Sequence, residues 1–239
     1  MAITALHGAR AAEPIKLWDF DTSGYTPAWR VLTDGVPSTP AVSNDGKVVY
    51  VGGTDNQLYA LNTVAGTRLW SFATGRGGLS SGVSSPALSS DGKVVYVGSY
   101  DLNLYAVNAS TGNETWRFAT GDALQSSPTL SSDGKVVYVG DDNFLYAVNA
   151  STGSKTWSFA TGDDVESSPT LSSDGKVVYI GSDDLHLYAV SAFTGSKIWN
   201  FATDGAVKSS PTLSSDGKVV YVGSGDTNLY ATNLYAVNA

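Results

Sequence analysis

Carboxylates are the groups through which this chain could do chemistry. Its 239 residues hold 22 Asp and Glu against 14 Lys and Arg, two histidines and no cysteine. Without a thiol there is no disulfide, no thiolate metal site and no cysteine nucleophile. His7 stands near the start and His186 in a turn, which does not supply a histidine-based triad or metal centre, and no nucleophile, base and orienting acid stand out together. What remains are aspartate-dense loops: GDDN with Asp141 and Asp142, TGDDVE with Asp163, Asp164 and Glu166, and GSDDLH with Asp183 and Asp184. Clustered carboxylates are hard oxygen donors, and Ca²⁺, satisfied by six to eight oxygens, is the metal they would take. A cationic partner would be drawn by the same charge. Aspartate also forms β-turns and keeps surfaces soluble, so these loops have a purely structural reading as well.

The elements that must position these loops repeat. PTLSSDGKVVYVG stands at 128–140 and again at 211–223, with closely related copies starting at Pro40, Pro86 and Pro169. The prolines are spaced 46, 42, 41 and 42 residues apart, the period of a repeat architecture. Residues 122–162 show how one unit reads. QSSPTLS is a first strand, SSDG a turn in which Gly134 takes positive φ, and KVVYVG a second strand that is apolar on both parities and therefore covered on both faces. FLYAVNA and KTWSFATG follow as third and fourth strands, the last with Trp157 and Phe159 on one face. A four-stranded antiparallel meander cannot shield both of its faces alone, but copies arranged radially shield one another, as in a β-propeller blade. A solenoid of stacked hairpins would instead need capped ends. The chain opens with a fourth-strand sequence that has no preceding partners: Lys16, Leu17, Trp18 and Phe20 match Lys155, Thr156, Trp157 and Phe159. The fifth unit runs through NLYATN without a Trp strand of its own. The fold expected is all-β, a five-bladed β-propeller of four-stranded antiparallel blades, closed by the N-terminal strand completing the last blade. Residues 1–14 read as a leader and 15–239 as one domain, with blades near 36–73, 82–119, 124–160, 165–202 and 207–233 plus 15–21. The tail LYAVNA, 234–239, duplicates the segment before it.

The run Ala147, Asn149, Thr152, Gly153, Trp157 resembles the docking signature of the pyrroloquinoline-quinone-like propeller repeats, A-x-D-x-x-T-G-x-x-x-W. It returns as Ala106, Asn108, Thr111, Gly112, Trp116 and as Ala189, Ser191, Thr194, Gly195, Trp199. The first blade keeps Ala60, Asn62, Gly66 and Trp70 but has Ala65 in place of Thr. Asn or Ser stands where the family has Asp, and members usually have seven or eight blades. The family includes quinone-dependent dehydrogenases, an outer-membrane assembly lipoprotein and domains that bind no quinone. Its dehydrogenases use an Asp base, calcium held by Glu and Asn, and often a vicinal disulfide. Here there is no cysteine and no unique Glu/Asn/Asp set, so the resemblance implies the fold and not the redox chemistry. It also implies a place outside the cytoplasm, periplasmic or secreted.

Recurrent Tyr and Trp in strand positions read as contacts between blades, and the Ser-Ser-Pro triplets as tight contacts at the innermost strand. Where the copies disagree, residues are free for recognition. Disagreement collects in the loops joining strands two and three and in those joining blade to blade, at one end of the ring. Gln125, Glu166 and Lys208 fall at matching positions of the second kind of loop. Two insertions at the same end, before blades one and two, add Tyr25, Trp29, Arg30 and Arg76, residue types that anchor interfaces. At the other end each DGK turn sets its Asp beside its Lys.

The formal charge of −8 and pI near 4.5 speak against nucleic acid and anionic membranes as partners, and no apolar run is long enough to span a bilayer. The expected function is a non-catalytic binding scaffold using its variable, acidic loop face. No cofactor is expected. The partner would be a protein, small molecule or glycan and the chain a monomer, with a strand-swapped oligomer as the alternative. The alternatives in function are a quinone-dependent dehydrogenase and a lectin with one site per blade gap.

Overall fold

The computed structural model describes residues 38–75, 82–225 and 232–238. These residues form antiparallel sheets and no helix, so no helix there is long and apolar enough to cross a membrane. The first sheet is β1 (Ala41–Val42), β2 (Val48–Gly52), β3 (Gln57–Asn62) and β4 (Arg68–Ala73), paired in that order. The second is β5 (Ala87–Leu88), β6 (Val94–Ser99), β7 (Asn103–Asn108) and β8 (Glu114–Ala119). The third is β9 (Thr129–Leu130), β10 (Val136–Gly140), β11 (Phe144–Asn149) and β12 (Lys155–Ala160), and the fourth β13 (Thr170–Leu171), β14 (Val177–Ser182), β15 (His186–Ser191) and β16 (Lys197–Ala202). The fifth has three strands among the described residues: β17 (Thr212–Leu213), β18 (Val219–Gly225) and β19 (Thr232–Asn238). The closing strand expected at 15–21 lies outside the described residues.

Two local expectations are corrected. The innermost strands hold two residues rather than seven, because Pro128 has no N–H for the ladder and the Ser127 N–H is given to the Ser168 hydroxyl of the next sheet (3.0 Å). The same bond links Ser85 to Ser127 (3.2 Å) and Ser168 to Ser210 (3.0 Å). In the fifth sheet the last copy takes the third-strand place, so the boundary at 233 moves. Tyr221 pairs with Ala236 and Val222 with Tyr235, as Tyr138 pairs with Ala147 and Val139 with Tyr146. The physical reason is position 237. Val107, Val148 and Val190 are fully buried at this place in other sheets, and Val237 joins the corresponding apolar cluster. The earlier copy offers Thr232, whose hydroxyl would be buried there without a natural partner.

The core lies between sheets rather than within one. Tyr138, Leu145, Ala147, Trp157 and Phe159 of the third sheet meet Val178, Ile180, Tyr188, Val190 and Ala192 of the fourth, and the same set recurs at the junctions on either side. The docking signature explains the contact. Asn149 Oδ1 accepts the N–H groups of Ser151 and Thr152 (3.0 Å each), so Asn performs the capping that the family's Asp would. Gly153 follows at φ 72°, and the ring of Trp116 from the preceding sheet lies against it, 2.8 Å from where a Cβ would stand. A register shift in β12 aligns Trp157 opposite Ala147 and leaves Lys155 opposite Val148. The Trp116 and Trp157 Nε1–H groups donate to the carbonyls of Ala150 and Ala192 one sheet on (3.0 and 3.1 Å), carbonyls that also accept the hydroxyls of Tyr96 and Tyr138. The aromatic repeats are structural, and so are the first serines of the triplets: Ser126 and Ser167 Oγ accept the Gly140 and Gly181 N–H groups at 3.1 and 2.7 Å.

Candidate functional site

The two ends of the sheets differ as the repeats require. At the turn end every DGK aspartate lies within 4 Å of its lysine, from Lys176–Asp174 at 3.0 Å to Lys218–Asp216 at 3.8 Å. The hydroxyls of Ser43, Ser89, Ser131, Ser172 and Ser214 and then the following backbone N–H hold these carboxyls below the ordinary carboxylate range, Asp174 at about 2 through Ser172 first. The groups are solvent-exposed and satisfied, a self-neutralised surface.

The opposite end carries the divergent loops, and the structure sorts their acids into two kinds. One kind latches neighbouring sheets. Asp101 Oδ2 accepts the Gly75 N–H of the first sheet's exit (2.5 Å) and the Tyr105 hydroxyl (2.7 Å). Asp184 Oδ2 accepts the Gly162 N–H and the Tyr188 hydroxyl at 2.6 Å each. Asp141, 2 % exposed, accepts Gly121 N–H through Oδ2 and Asn143 and Phe144 N–H through Oδ1. Burial and then the facing aspartate push the Tyr105 hydroxyl up to about 12, and Tyr146 likewise. Asp141 and Asp184, both among the sequence's candidate metal ligands, thus also hold neighbouring sheets together. Asp163 Oδ1 is turned onto the Asp164 N–H (3.0 Å).

The second kind gathers at the blade-joining loops. Lys208 Nζ lies 2.7 Å from Glu166 Oε1 and 2.8 Å from Asp183 Oδ2. Asp164, Glu166 and Asp183 each offer a carboxylate oxygen within 4.8 Å of the others. Hydrogen bonds to Asp183 and then Glu166 hold the Lys208 ammonium well above its ordinary range, while burial and then the charges of Asp163 and Asp183 raise Asp164. Asp183 Oδ1 is buried without a hydrogen bond, as is Asp184 Oδ1, which has His186 Nδ1 only at 3.4 Å because that nitrogen is 2.8 Å from the Asp184 carbonyl. Gln125 Oε1 receives the Tyr100 hydroxyl at 3.5 Å, a long contact. The Tyr100 hydroxyl is raised by burial and then by the charge of Glu166. Of the sequence's candidates Gln125, Glu166 and Lys208, the structure brings Glu166 and Lys208 together and sets Gln125 against Tyr100, which the sequence reading did not single out. Its signal was present: Tyr100 stands where the other sheets carry Thr54, Asp183 and Gly225. Tyr25, Trp29, Arg30 and Arg76 lie outside the described residues.

A divalent cation does not fit this cluster as it stands. The Lys208 ammonium already sits between two of its three carboxylates, and a dication beside it would meet a like charge at contact distance. Asp142 adds a pH response. Burial, then a hydrogen bond shared with Asp122, then the charge of Asp164 raise its carboxyl to about 7, while the same bond lowers Asp122. A carboxyl raised in the folded state binds its proton more tightly there than in the unfolded chain. Its contribution is therefore complete below about pH 4 and is lost as pH rises toward 7. Asp122 acts oppositely, losing its contribution as pH falls below 3.8. Asp142→Asn is expected to flatten the decline in melting temperature between pH 4 and pH 7; an unchanged slope in thermal scans across that window would contradict the shared proton.

The arrangement offers an ammonium, carboxylates, an amide and a phenol on neighbouring loops, a surface for polar contacts. No curated protein matches the chain closely enough to count as a relative. The family profile described as outer membrane protein assembly factor BamB matches residues 16–123 and again 103–236. With the repeat, the docking tryptophans and these two overlapping matches in place, the chain belongs to the BamB-type, pyrroloquinoline-quinone-like repeat family of β-propellers.

Proposed function

We propose that the protein is a non-catalytic interaction module outside the cytoplasm, a five-bladed ring whose divergent loop face holds a polypeptide partner through basic side chains. The observation that carries the reading is the contrast between the two ends. Near-identical copies keep their DGK turns nearly constant and self-neutralised, while the loops that carry Tyr100, Gln125, Asp164, Glu166, Asp183 and Lys208 diverge. Rigid scaffolds with variable loops concentrate recognition in those loops, and an acidic face steers a basic partner to it. The family's description as an assembly factor supports a protein partner. Ring closure belongs to the same proposal. The outer edge of β19 has no ladder partner among the described residues, and residues 16–20 carry the sequence that fills this edge in every other sheet.

The test is selection from an immobilised random peptide library. Lys- and Arg-rich peptides are expected to bind, and Glu166→Gln with Asp183→Asn is expected to weaken them at least about tenfold, the scale of one or two charged hydrogen bonds. Asp91→Asn with Asp133→Asn at the turn end is expected to leave them unchanged. Selection of peptides without basic residues, or equal loss from both double variants, would refute the assignment.

A further inference from the structure

In three of the sheets the loop joining the second and third strands ends on a residue in the left-handed region: Asn56 at φ 65°, Leu102 at 71° and Leu185 at 69°. The scaffold demands that conformation. It turns the carbonyl of this residue toward the threonine that follows the fourth strand. The Thr74, Thr120 and Thr203 N–H groups donate to it at 2.8 Å and their hydroxyls at 2.9 Å. The loop of the third sheet is one residue shorter, and there the Asn143 carbonyl accepts the Thr161 N–H (2.9 Å) without positive φ.

What differs among the three is the side chain. Asparagine is one of the few residues that visit this region readily. Asn56 also serves the fold: it is buried, and its Oδ1 accepts the Gly82 N–H at 2.9 Å. Leucine has no such ease, because its Cβ crowds the following carbonyl oxygen. Nor are these leucines repaid by burial. Leu102 is 39 % and Leu185 43 % exposed, and neither belongs to the apolar clusters between sheets. The third sheet, free of the left-handed residue, still presents an apolar side chain at this end: Phe144, 36 % exposed, stands where the others carry Gln57, Asn103 and His186. Backbone strain of this kind clusters at binding sites. Each of the three also follows carboxylates in the chain, Leu102 after Asp101, Phe144 after Asp141 and Asp142, Leu185 after Asp183 and Asp184. A partner that reaches this end with basic side chains brings its neighbouring residues over the apolar ones.

We infer that Leu102, Phe144 and Leu185 are specificity contacts of the divergent face, receiving apolar side chains that lie among the basic residues of a polypeptide partner. This rests on the basic-partner reading above and adds what that partner carries between its charges.

The probes are two ten-residue peptides of equal charge in the repeating order Arg-Arg-X-X, one with Leu and one with Ser at X. Each face of the extended peptide then carries both kinds of residue. The protein is expected to bind the Leu peptide at least about tenfold more tightly by calorimetry, the scale of one leucine withdrawn from water. A triple variant, Leu102→Asn, Phe144→Gln and Leu185→Asn, borrows the residue types of the first sheet and is expected to bind both peptides alike. Its urea midpoint is expected at or above that of the parent, since relief of two left-handed leucines offsets the apolar contact given up. Glu166→Gln with Asp183→Asn is expected to weaken both peptides by the same factor and keep the preference between them. Equal affinity of the parent for the two peptides overturns the inference and leaves the basic-partner reading standing, as does an undiminished preference in the triple variant. A triple variant with a lower urea midpoint puts these side chains in the service of the fold and overturns it too. Failure of both peptides to bind overturns the basic-partner reading and this inference with it.

Discussion

Trp116→Ala is expected to lower the free energy of unfolding by about 3–5 kcal/mol, the cost of deleting a large aromatic from a packed site. Three losses combine in it. The ring leaves Gly153 with nothing against its open side, Tyr96 loses an aromatic neighbour at 5.8 Å, and the Ala150 carbonyl keeps only the Tyr96 hydroxyl. Trp116→Phe keeps most of the ring and drops the Nε1–H bond, and is expected to cost about 1 kcal/mol for that bond plus a smaller amount for lost area. Urea titration of the three proteins checks the order. A Trp116→Ala protein as stable as the parent would mean that the sheets are held together by something other than the docking signature.

Gly181→Val should be nearly as damaging for a different reason. A Cβ there would meet Val207 Cγ1 at 2.3 Å and the Val207 carbonyl oxygen at 2.4 Å. The side chain could turn away but the backbone oxygen cannot, so the linker between the fourth and fifth sheets must shift. Overpacking of this kind costs about 1–3 kcal/mol, and the valine falls at the upper end because both its methyls add to the clash. Val207→Gly in the same protein is expected to recover little, since the carbonyl remains. Gly46 is the control. It has open space around it and φ of 71°, so Gly46→Ala should cost about 1 kcal/mol of left-handed strain and nothing else. Equal melting temperatures for Gly181→Val and Gly46→Ala would show that the linker does not press on the sheet.

What could be read without coordinates follows from where each determinant lies. Strand order, turn glycines and the structural role of the tryptophans are written inside one period, and comparison of copies exposes them. Gly134, Gly153 and Trp157 were each legible for that reason. The short inner strands were not, because the partner of the Ser127 N–H is a hydroxyl 41 residues away, in another sheet. The double role of aspartate was hidden in the same way. Asp141 and Asp142 are adjacent in sequence, yet Asp141 is occupied by the Gly121 N–H of the preceding sheet while Asp142 shares a proton with Asp122. Nothing local to GDDN separates them. Lys208 was legible as a candidate contact but not as the counter-ion of Glu166, since Glu166 stands one full period away and charge pairing across periods shows only when copies are superimposed.

The central claim is that recognition sits on the divergent loop end. Amide hydrogen exchange of the protein with a saturating basic peptide taken from the library measures this residue by residue. Protection is expected in the loops at 99–102, 122–126, 163–167, 183–186 and 204–208, with the DGK turns exchanging as in the free protein. Protection confined to those turns or to the outer strands, with the loops unaffected, would contradict it.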